Sequence, residues 1–168
     1  LYGVGLWINQ GLYRWGIKKQ VHPGIPVISI GNLTLGGTGK TVFVELVANM
    51  LQEAGHSPAV LIRGYSKGDS GVSDETVMLG EALRTGVTMV LGRDRLAGAL
   101  GAAESGDSVA ILDDGHQYFR LAKDMRVLLF DATRPGHLKR LFPAVMLREP
   151  LSHVRDAEVV CLTRADQA

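Results

Sequence analysis

The sequence predicts an α/β fold with a mostly parallel sheet and helices on both faces. Three observations lead to this prediction. Apolar segments rich in Val, Ile and Leu recur along the chain, segments with helical periodicity separate them, and glycines follow several of the helical segments. Parallel strands are buried on both faces and need long crossover connections, which are usually helices. The alternation therefore favours a parallel sheet covered on both sides.

Length and composition are those of one globular domain. The chain has 168 residues and a net charge of +1, so nothing in the overall charge indicates nucleic-acid binding. Its single cysteine, Cys161, excludes an internal disulfide and fits a reducing compartment. The chain starts at Leu1 and stops soon after an apparent strand, and we therefore expect a fragment of a longer reading frame or a trimmed chain.

Residues 1–22 are predicted as an N-terminal amphipathic helix. This segment carries Trp7 and Trp15, ends with Lys18 and Lys19, and contains no acidic residue. Aromatic and basic residues together are typical of helices that lie in the headgroup zone of a membrane. A first helix packed on its own domain is the alternative interpretation.

Residues 23–168 are predicted as one α/β domain. The segment after Pro26 is a buried strand, and a helix ending at Gly55 follows it. The second helix begins with two acidic residues and ends at Gly86. The six predicted strands are PVISIGN, PAVLIRG, VTMVLG, SVAILDDG, RVLLFDA and AEVVCLT, and the three helices are KTVFVELVANMLQEAG, DETVMLGEALRTG and RDRLAGALGAAESG.

Ligands of parallel sheets lie at the carboxyl ends of the strands. The loops after Asn32, Ile62, Leu91 and Leu112 should therefore converge on one site.

The motif GGTGKT, between the first strand and its helix, predicts a phosphate-binding loop. Glycines let backbone N–H groups approach an anion, and the helix N-terminus adds a favourable dipole. Lys40 would reach the β- and γ-phosphates of a nucleotide, and the Thr41 hydroxyl would bind Mg²⁺. Thr34 stands where the strict motif has glycine. The predicted nucleotide-binding residues are Thr34, Gly36, Gly37, Thr38, Gly39, Lys40 and Thr41.

The segment VAILDDG supports the same interpretation. An apolar strand ending in Asp113 and Asp114 is typical of how phosphate-loop enzymes present their second metal-side carboxylate. Acidic residues that merely end a strand are the alternative.

A phosphate loop alone does not distinguish kinases from switch GTPases or ATPases. The segment LTRAD is similar to the Thr-Lys-x-Asp element that recognises guanine in GTPases, with Arg164 in place of the lysine.

Several segments together resemble the tetraacyldisaccharide 4'-kinase family of lipid A biosynthesis. They are PVISIGNLTLGGTGKT, LIRGY, SDE, GRDR, DDGHQYFRLAKD, DATRP and LFPAVMLREP, in the order and approximate spacing of the family along almost the whole chain. The family loop also has a residue other than glycine at the first position, which accounts for Thr34.

The resemblance implies a membrane-surface kinase that uses ATP and Mg²⁺. It would phosphorylate the 4'-hydroxyl of a tetraacylated glucosamine disaccharide 1-phosphate at the cytoplasmic face of the inner membrane, as a peripheral or monotopic protein. It implies Asp74 as the base that accepts the hydroxyl proton, with Lys40 and Asp114 as further catalytic residues. Glu75 would hold magnesium together with Thr41 and Asp113, although acids at a helix N-terminus are also favoured by the dipole alone.

The resemblance also implies a set of acceptor-binding residues. Arginines at strand ends supply donors in a fork geometry that suits the phosphate of an anionic lipid. Solvated surface arginines are the alternative. The predicted acceptor-binding residues are Arg63, Tyr65, Arg93, Arg95, Gln117 and Tyr118.

The chain also departs from the family pattern. The family's Asp-Asp-Gly-Phe-Gln-His is DDGHQY here, with His116 for Phe and Tyr118 for His. Val42, Ser73 and Thr76 replace family residues beside the phosphate loop and Asp74, and the C-terminal lobe of the family is not among these residues. A nucleotide-dependent switch at the membrane, or a member that binds ATP without turnover, therefore remain alternative functions.

Overall fold

The chain folds around a six-stranded sheet in which every strand pair is parallel. The computed structural model describes residues 11–13, 15–34, 37–63, 74–134 and 151–167, with only the backbone of residues 74, 75, 151 and 152. The strand order is β3-β2-β4-β1-β5-β6. The strands are β1 (Val27–Gly31), β2 (Pro58–Ile62), β3 (Thr88–Leu91), β4 (Val109–Asp113), β5 (Met125–Asp131) and β6 (Val159–Thr163).

Three α-helices connect the first four strands. They are α1 (Lys40–Glu53), α2 (Asp74–Ala82) and α3 (Arg95–Glu104), and short 3₁₀ helices span Leu151–Asp156 and Ala165–Gln167. Each helix lies between two strands of the parallel sheet in sequence, as crossover connections require.

The helices pack on opposite faces of the sheet because alternate strand residues point to opposite sides. In β2, Val60 and Ile62 pack with Val44 of α1 and Leu79 of α2, whereas Leu61 packs with Leu96 and Ala99 of α3. β2 is buried along its whole length. Burial of each such valine, leucine or isoleucine side chain contributes about 1.5–3 kcal/mol to folding.

The predicted fold class is confirmed by this architecture. All six predicted strands and all three predicted helices are present. Since β3, β2, β4 and β1 are adjacent and parallel, the four loops that follow them begin at the same edge of the sheet.

The N-terminal segment agrees less closely with its prediction. Residues 11–13 are helical, but residues 15–22 are not, because Gly16 adopts φ +72° and Val21 forms a parallel bridge with Leu121. Residues 1–10 lie outside the described part of the chain, so a membrane role for the segment stays a prediction. Among the described residues, no helix has the length and apolar character needed to cross a membrane.

Candidate active site

The phosphate loop links the carboxyl end of β1 to the first turn of α1. Gly39 precedes the helix with φ +78°, a conformation that glycine adopts without strain. Among the residues that the structure describes, no side-chain hydrogen bond caps this end of α1. The first N–H groups of a helix have no partner within the helix, which suits this end of α1 to an anion.

Polar contacts around Thr38 hold the loop against the sheet. Thr38 is buried, and its hydroxyl accepts a hydrogen bond of 3.1 Å from Asn32 Nδ2. The Thr163 hydroxyl, at the end of β6, donates to the carbonyl of Thr38 at 2.9 Å and to that of Phe130 at 3.2 Å. Thr34, which stands where the strict phosphate-loop motif has glycine, is also buried, at 4% exposure. The loop is therefore fixed to both β1 and β6.

Lys40 lies between a buried amide and a carboxylate. Its Nζ donates to Asn32 Oδ1 at 3.2 Å and to Asp114 Oδ1 at 3.4 Å, and its side chain is 18% exposed. An ammonium group in this position at a helix N-terminus suits the phosphates of a nucleotide.

The two aspartates lie in a tight loop, residues 113–116, which we call the carboxylate loop. Asp113 is the last residue of β4 and pairs with Ile30 of β1. Asp114 has φ +50°, a left-handed conformation that is uncommon for residues other than glycine. Gly115 has no room for a side chain, because a Cβ would lie 2.4 Å from the side chain of Leu112 and 2.7 Å from the Ser29 hydroxyl.

Arg95 and Tyr118 contact each other beside this loop. The Arg95 guanidinium carbon lies 4.9 Å from the centre of the Tyr118 ring. Burial lowers the pKa of Arg95, and the nearby Asp114 carboxylate opposes that shift while Arg63 adds to it. Burial raises the pKa of Tyr118, so its hydroxyl stays protonated near neutral pH. Tyr118 therefore acts as a hydrogen-bonding group here and not as a proton carrier.

Asp94 lies at the N-terminus of α3, beside Arg95 and Tyr118. Its carboxylate accepts from the N–H groups of Leu96 and Ala97, from the Tyr118 hydroxyl at 2.9 Å and from Arg120 at 3.2 Å. The Tyr118 hydrogen bond is the main reason that the pKa of Asp94 lies below its usual value. This carboxylate is a helix cap.

The available donors fit a magnesium ion shared with a nucleotide. Mg²⁺ is usually held by one or two carboxylates and substrate phosphates, with waters completing its shell. Asp113 and Asp114 lie at the end of β4, next to β1, and Thr41 lies in the first turn of α1. Within the described residues, no group of three or more His, Cys, Asp or Glu side chains could hold a metal ion alone.

The remaining predicted residues are spread along the same edge of the sheet. Arg63 follows β2 and Arg93 follows β3, and both are exposed, whereas Gln117 follows the carboxylate loop and is half-buried. Asp74 and Glu75 begin α2, but their side chains lie outside the described part of the chain. Gly36 and Tyr65 also lie outside the described residues. The roles predicted for all these residues stay predictions.

Three site residues were missed by the sequence analysis. Asn32 and Thr163 hold the phosphate loop, and Lys123 contacts the carboxylate loop. The sequence did contain a signal for Asn32, because a polar residue between a buried strand and a glycine motif is well placed to form a hydrogen bond with the phosphate loop. Thr163 and Lys123 had none, since their contacts depend on how distant segments pair.

A cavity of about 210 Å³ lies behind the carboxylate loop. The cavity lies between the N-terminal segment, the carboxylate loop and the beginning of β5. Its lining includes Tyr13, Gln20, His116, Phe119, Lys123 and Arg126.

Comparison with known proteins identifies similar sequences and structures. A family model described as LpxK, tetraacyldisaccharide-1-P 4'-kinase, matches residues 1–168. Proteins named tetraacyldisaccharide 4'-kinase from Geobacter sulfurreducens and Xanthomonas euvesicatoria are 41% and 38% identical to this chain. The alignments cover 98% and 94% of this chain and 51% and 49% of those proteins. The chain thus spans about half the length of these relatives.

A solved structure is similar over the same extent. It is a crystal structure of LpxK from Aquifex aeolicus in complex with ATP, with a TM-score of 0.82 and 36% sequence identity. The match covers 98% of this chain and 56% of that chain.

Proposed function

This chain belongs to the tetraacyldisaccharide-1-P 4'-kinase family, and from that premise we propose that it transfers the γ-phosphate of ATP to the 4'-hydroxyl of a tetraacylated glucosamine disaccharide 1-phosphate. The A. aeolicus structure, a complex with ATP, supports the choice of nucleotide. The observation that carries the proposal is the position of Lys40 between Asn32 and Asp114, at the N-terminus of an α-helix whose N-cap residue is Gly39.

Lys40 and the phosphate loop would bind and orient the nucleotide. The N–H groups at the start of α1 and the Lys40 ammonium offer donors to the β- and γ-phosphates. Asn32 restricts the lysine to one side of the loop, and Thr163 fixes the backbone at Thr38. Electrostatic positioning of this kind supplies most of the catalysis in phosphoryl transfer.

Asp74 would accept the proton of the acceptor hydroxyl. In the transfer, the acceptor oxygen forms a bond to the γ-phosphorus, the bond from that phosphorus to the β,γ-bridging oxygen breaks, and ADP leaves. The hydroxyl proton passes to the Asp74 carboxylate as the new bond forms. The backbone of Asp74 starts α2, after β2, and β2 lies next to β4 in the sheet. This neighbourhood supports the assignment.

Thr41, Asp113 and Glu75 would hold the magnesium ion. A bound Mg²⁺ neutralises charge on the β- and γ-phosphate oxygens. Asp114 pairs with Lys40 at 3.4 Å, and we assign Asp113, the last residue of β4, as the carboxylate of this loop for the ion.

The acceptor would lie above the ends of β2 and β3, with its acyl chains in or near the membrane. Arg63, Tyr65, Arg93 and Gln117 are the candidates for its polar groups. Trp15 and Ile17 are 71% and 66% exposed, which supports contact of the segment 1–22 with the membrane surface. The protein would then act at the cytoplasmic face of the inner membrane as a peripheral or monotopic enzyme.

The test is lipid phosphorylation with γ-labelled ATP and Mg²⁺ in detergent micelles that contain the acylated disaccharide 1-phosphate. Label should appear in the lipid, and a Lys40→Ala variant serves as the blank. ATP hydrolysis without label in the lipid would instead indicate a nucleotide-dependent switch. ATP binding without hydrolysis or transfer would indicate a member that has lost turnover.

A further inference from the structure

Two cations bind four consecutive carbonyl groups of the carboxylate loop. Arg95 Nη1 donates to the carbonyl oxygens of Asp113 at 2.9 Å and Asp114 at 3.1 Å. Lys123 Nζ donates to those of Gly115 at 2.6 Å and His116 at 3.0 Å. We propose that Arg95 and Lys123 are positioning residues that fix this loop so that its carboxylates meet the magnesium–nucleotide complex.

The shape of the loop explains why it needs such contacts. Asp114 has an uncommon left-handed backbone, and Gly115 packs too closely on Leu112 for any side chain. A strained backbone persists only where surrounding groups hold it. Hydrogen bonds from charged donors are stronger than those between neutral groups, so two cations hold the four carbonyl groups firmly. With those groups fixed, the directions of the Asp113 and Asp114 side chains are restricted as well.

Arg95 is itself held in place by its neighbours. It is 8% exposed, and the Tyr118 ring covers its guanidinium. The Tyr118 hydroxyl donates to Asp94, and that carboxylate caps the helix that begins at Arg95. Arg95 Nε has no hydrogen-bond partner among the described residues. Burial of a charged group with an unpaired donor is costly, which indicates that the position of Arg95 serves a function.

These contacts bear on the role predicted for Arg95 and Tyr118. Both were predicted to bind the acceptor, but Arg95 Nη1 is engaged by two carbonyl groups and the Tyr118 hydroxyl by Asp94. The Tyr118 ring contacts the Arg95 guanidinium while its hydroxyl donates to Asp94, so Tyr118 fits a positioning role.

Lys123 differs from Arg95 because packing does not enclose it. Its amine lies 5.7 Å from the centre of the Phe119 ring and lines the cavity behind the loop. A lysine side chain has four flexible carbons, so hydrogen bonds and not packing keep this ammonium group near the loop. Removal of its charge should consequently leave the fold intact while it loosens Gly115 and His116.

The experiment measures ATP affinity by calorimetry, with Mg²⁺ and with EDTA, for wild type, Lys123→Met, Lys123→Arg and Arg95→Lys. Arg84→Met is the control, since Arg84 pairs with Glu53 on the exposed surface of the connection between α2 and β3. We expect Lys123→Met to reduce the Mg²⁺-dependent gain in ATP affinity about tenfold, as loss of groups that orient metal ligands does. ATP affinity in EDTA and the melting temperature should stay near those of wild type.

The companion variants separate positioning from a purely structural effect. Lys123→Arg should recover most of the Mg²⁺-dependent gain, and Arg95→Lys should lose it together with some thermal stability. Amide hydrogen exchange of Gly115 and Tyr118 should become faster in Lys123→Met, because both N–H groups bond within or next to the loop. A Lys123→Met protein that matches Arg84→Met in Mg²⁺ dependence and in exchange would overturn the proposal. So would a wild type in which Mg²⁺ does not strengthen ATP binding.

This inference rests on the proposed nucleotide chemistry but not on the acceptor. A wild type that binds Mg²⁺–ATP but never labels the lipid would refute the proposed lipid phosphorylation. The binding measurements would still decide the role of the two cations.

Discussion

Lys40 Nζ and Asp114 Oδ1 lie 3.4 Å apart although 74 residues of sequence separate them. Parallel pairing of β1 with β4 brings the two groups together, since it sets Ile30 opposite Asp113. Lys40 and Asp114 are therefore neighbours because β1 and β4 lie side by side in the centre of the sheet.

Replacement of Lys40 tests the phosphate loop. Lys40→Ala should lower turnover by about a hundredfold or more, because it removes a preorganised charge from the phosphates. The melting temperature should change little, since the lysine ammonium is not part of the apolar core. Turnover and thermal unfolding by circular dichroism measure the two effects, with Arg84→Ala, which removes an exposed pair with Glu53, as the control. Unchanged turnover in Lys40→Ala would show that Lys40 of the phosphate loop does not take part in catalysis.

Asp74 and Glu75 have different predicted roles that paired variants can separate. Asp74→Asn should lower turnover by about 10²–10⁴-fold, because general base catalysis is lost. ATP affinity should be retained in this variant, whereas Glu75→Gln should raise the Mg²⁺ concentration needed for half-maximal rate. Steady-state kinetics and calorimetry give both quantities. Equal losses of turnover and ATP affinity in Asp74→Asn would make Asp74 a ligand instead of a base.

Thr163 links the last strand to the phosphate loop. Thr163→Val removes the hydroxyl that donates to Thr38 and Phe130, and loss of such a hydrogen bond costs about 1 kcal/mol. ATP affinity should fall about fivefold if that cost is paid in the bound state. Thr88→Val removes a comparable bond to Asp107, at the beginning of β3, and should leave ATP affinity unchanged. Calorimetry measures the ATP affinity of both variants, and equal affinities would contradict a role for Thr163 in holding the phosphate loop.

Two glycines should respond oppositely to alanine. Gly115→Ala would force a Cβ to 2.4 Å from Leu112, and overpacking of this kind costs about 1–3 kcal/mol. Gly101→Ala lies within α3 with nothing within 4 Å of the added Cβ, and it should stabilise the protein by about 0.5–1 kcal/mol. Urea unfolding measures both changes. The same sign for both variants would contradict the packing of the carboxylate loop.

Asp124 should contribute to the pH dependence of stability. Its carboxylate accepts from the Val27 N–H at 2.8 Å and pairs with His22, and the first of these contacts is the main reason that its pKa lies below the usual value. A lowered pKa in the folded state gives stability that is present above about pH 4 and is lost as the pH falls further.

The measurement for Asp124 is urea unfolding between pH 7 and pH 3. Asp124→Asn should be less stable than wild type at pH 7 by less than about 1 kcal/mol, since the carboxylate is half exposed. The difference should shrink on acidification. Glu104→Gln, at the exposed end of α3, is the control, and a difference that does not depend on pH would disprove the assignment.

The sheet could be predicted because its strands are buried on both faces. Continuous apolar segments such as PAVLI, all five residues of which are buried, have few other interpretations in a chain with helical spacers. The order of the strands could not be predicted, since β1 pairs with β4 and β5 across long stretches of sequence. No local sequence pattern indicates which strands pair with each other.

The candidate site could be located where local sequence defines it. Glycines before Lys40 and acids at the end of β4 predicted phosphate and metal chemistry without the fold, and these roles stay predictions. The backbone contacts of Arg95 could not be predicted, because an arginine after a strand suits either an anionic ligand or a backbone carbonyl. Only the packing of α3 against the end of β4 distinguishes the two.

The central position of β1 has a consequence for how the protein folds. Its partners β4 and β5 begin at Val109 and Met125, so most of the chain must be available before β1 is paired on either side. Pairings between such distant segments form slowly, since loop closure has to precede them. We therefore expect the nucleotide site to form together with the centre of the sheet. A nucleotide that binds only the folded site would then stabilise the paired sheet by mass action.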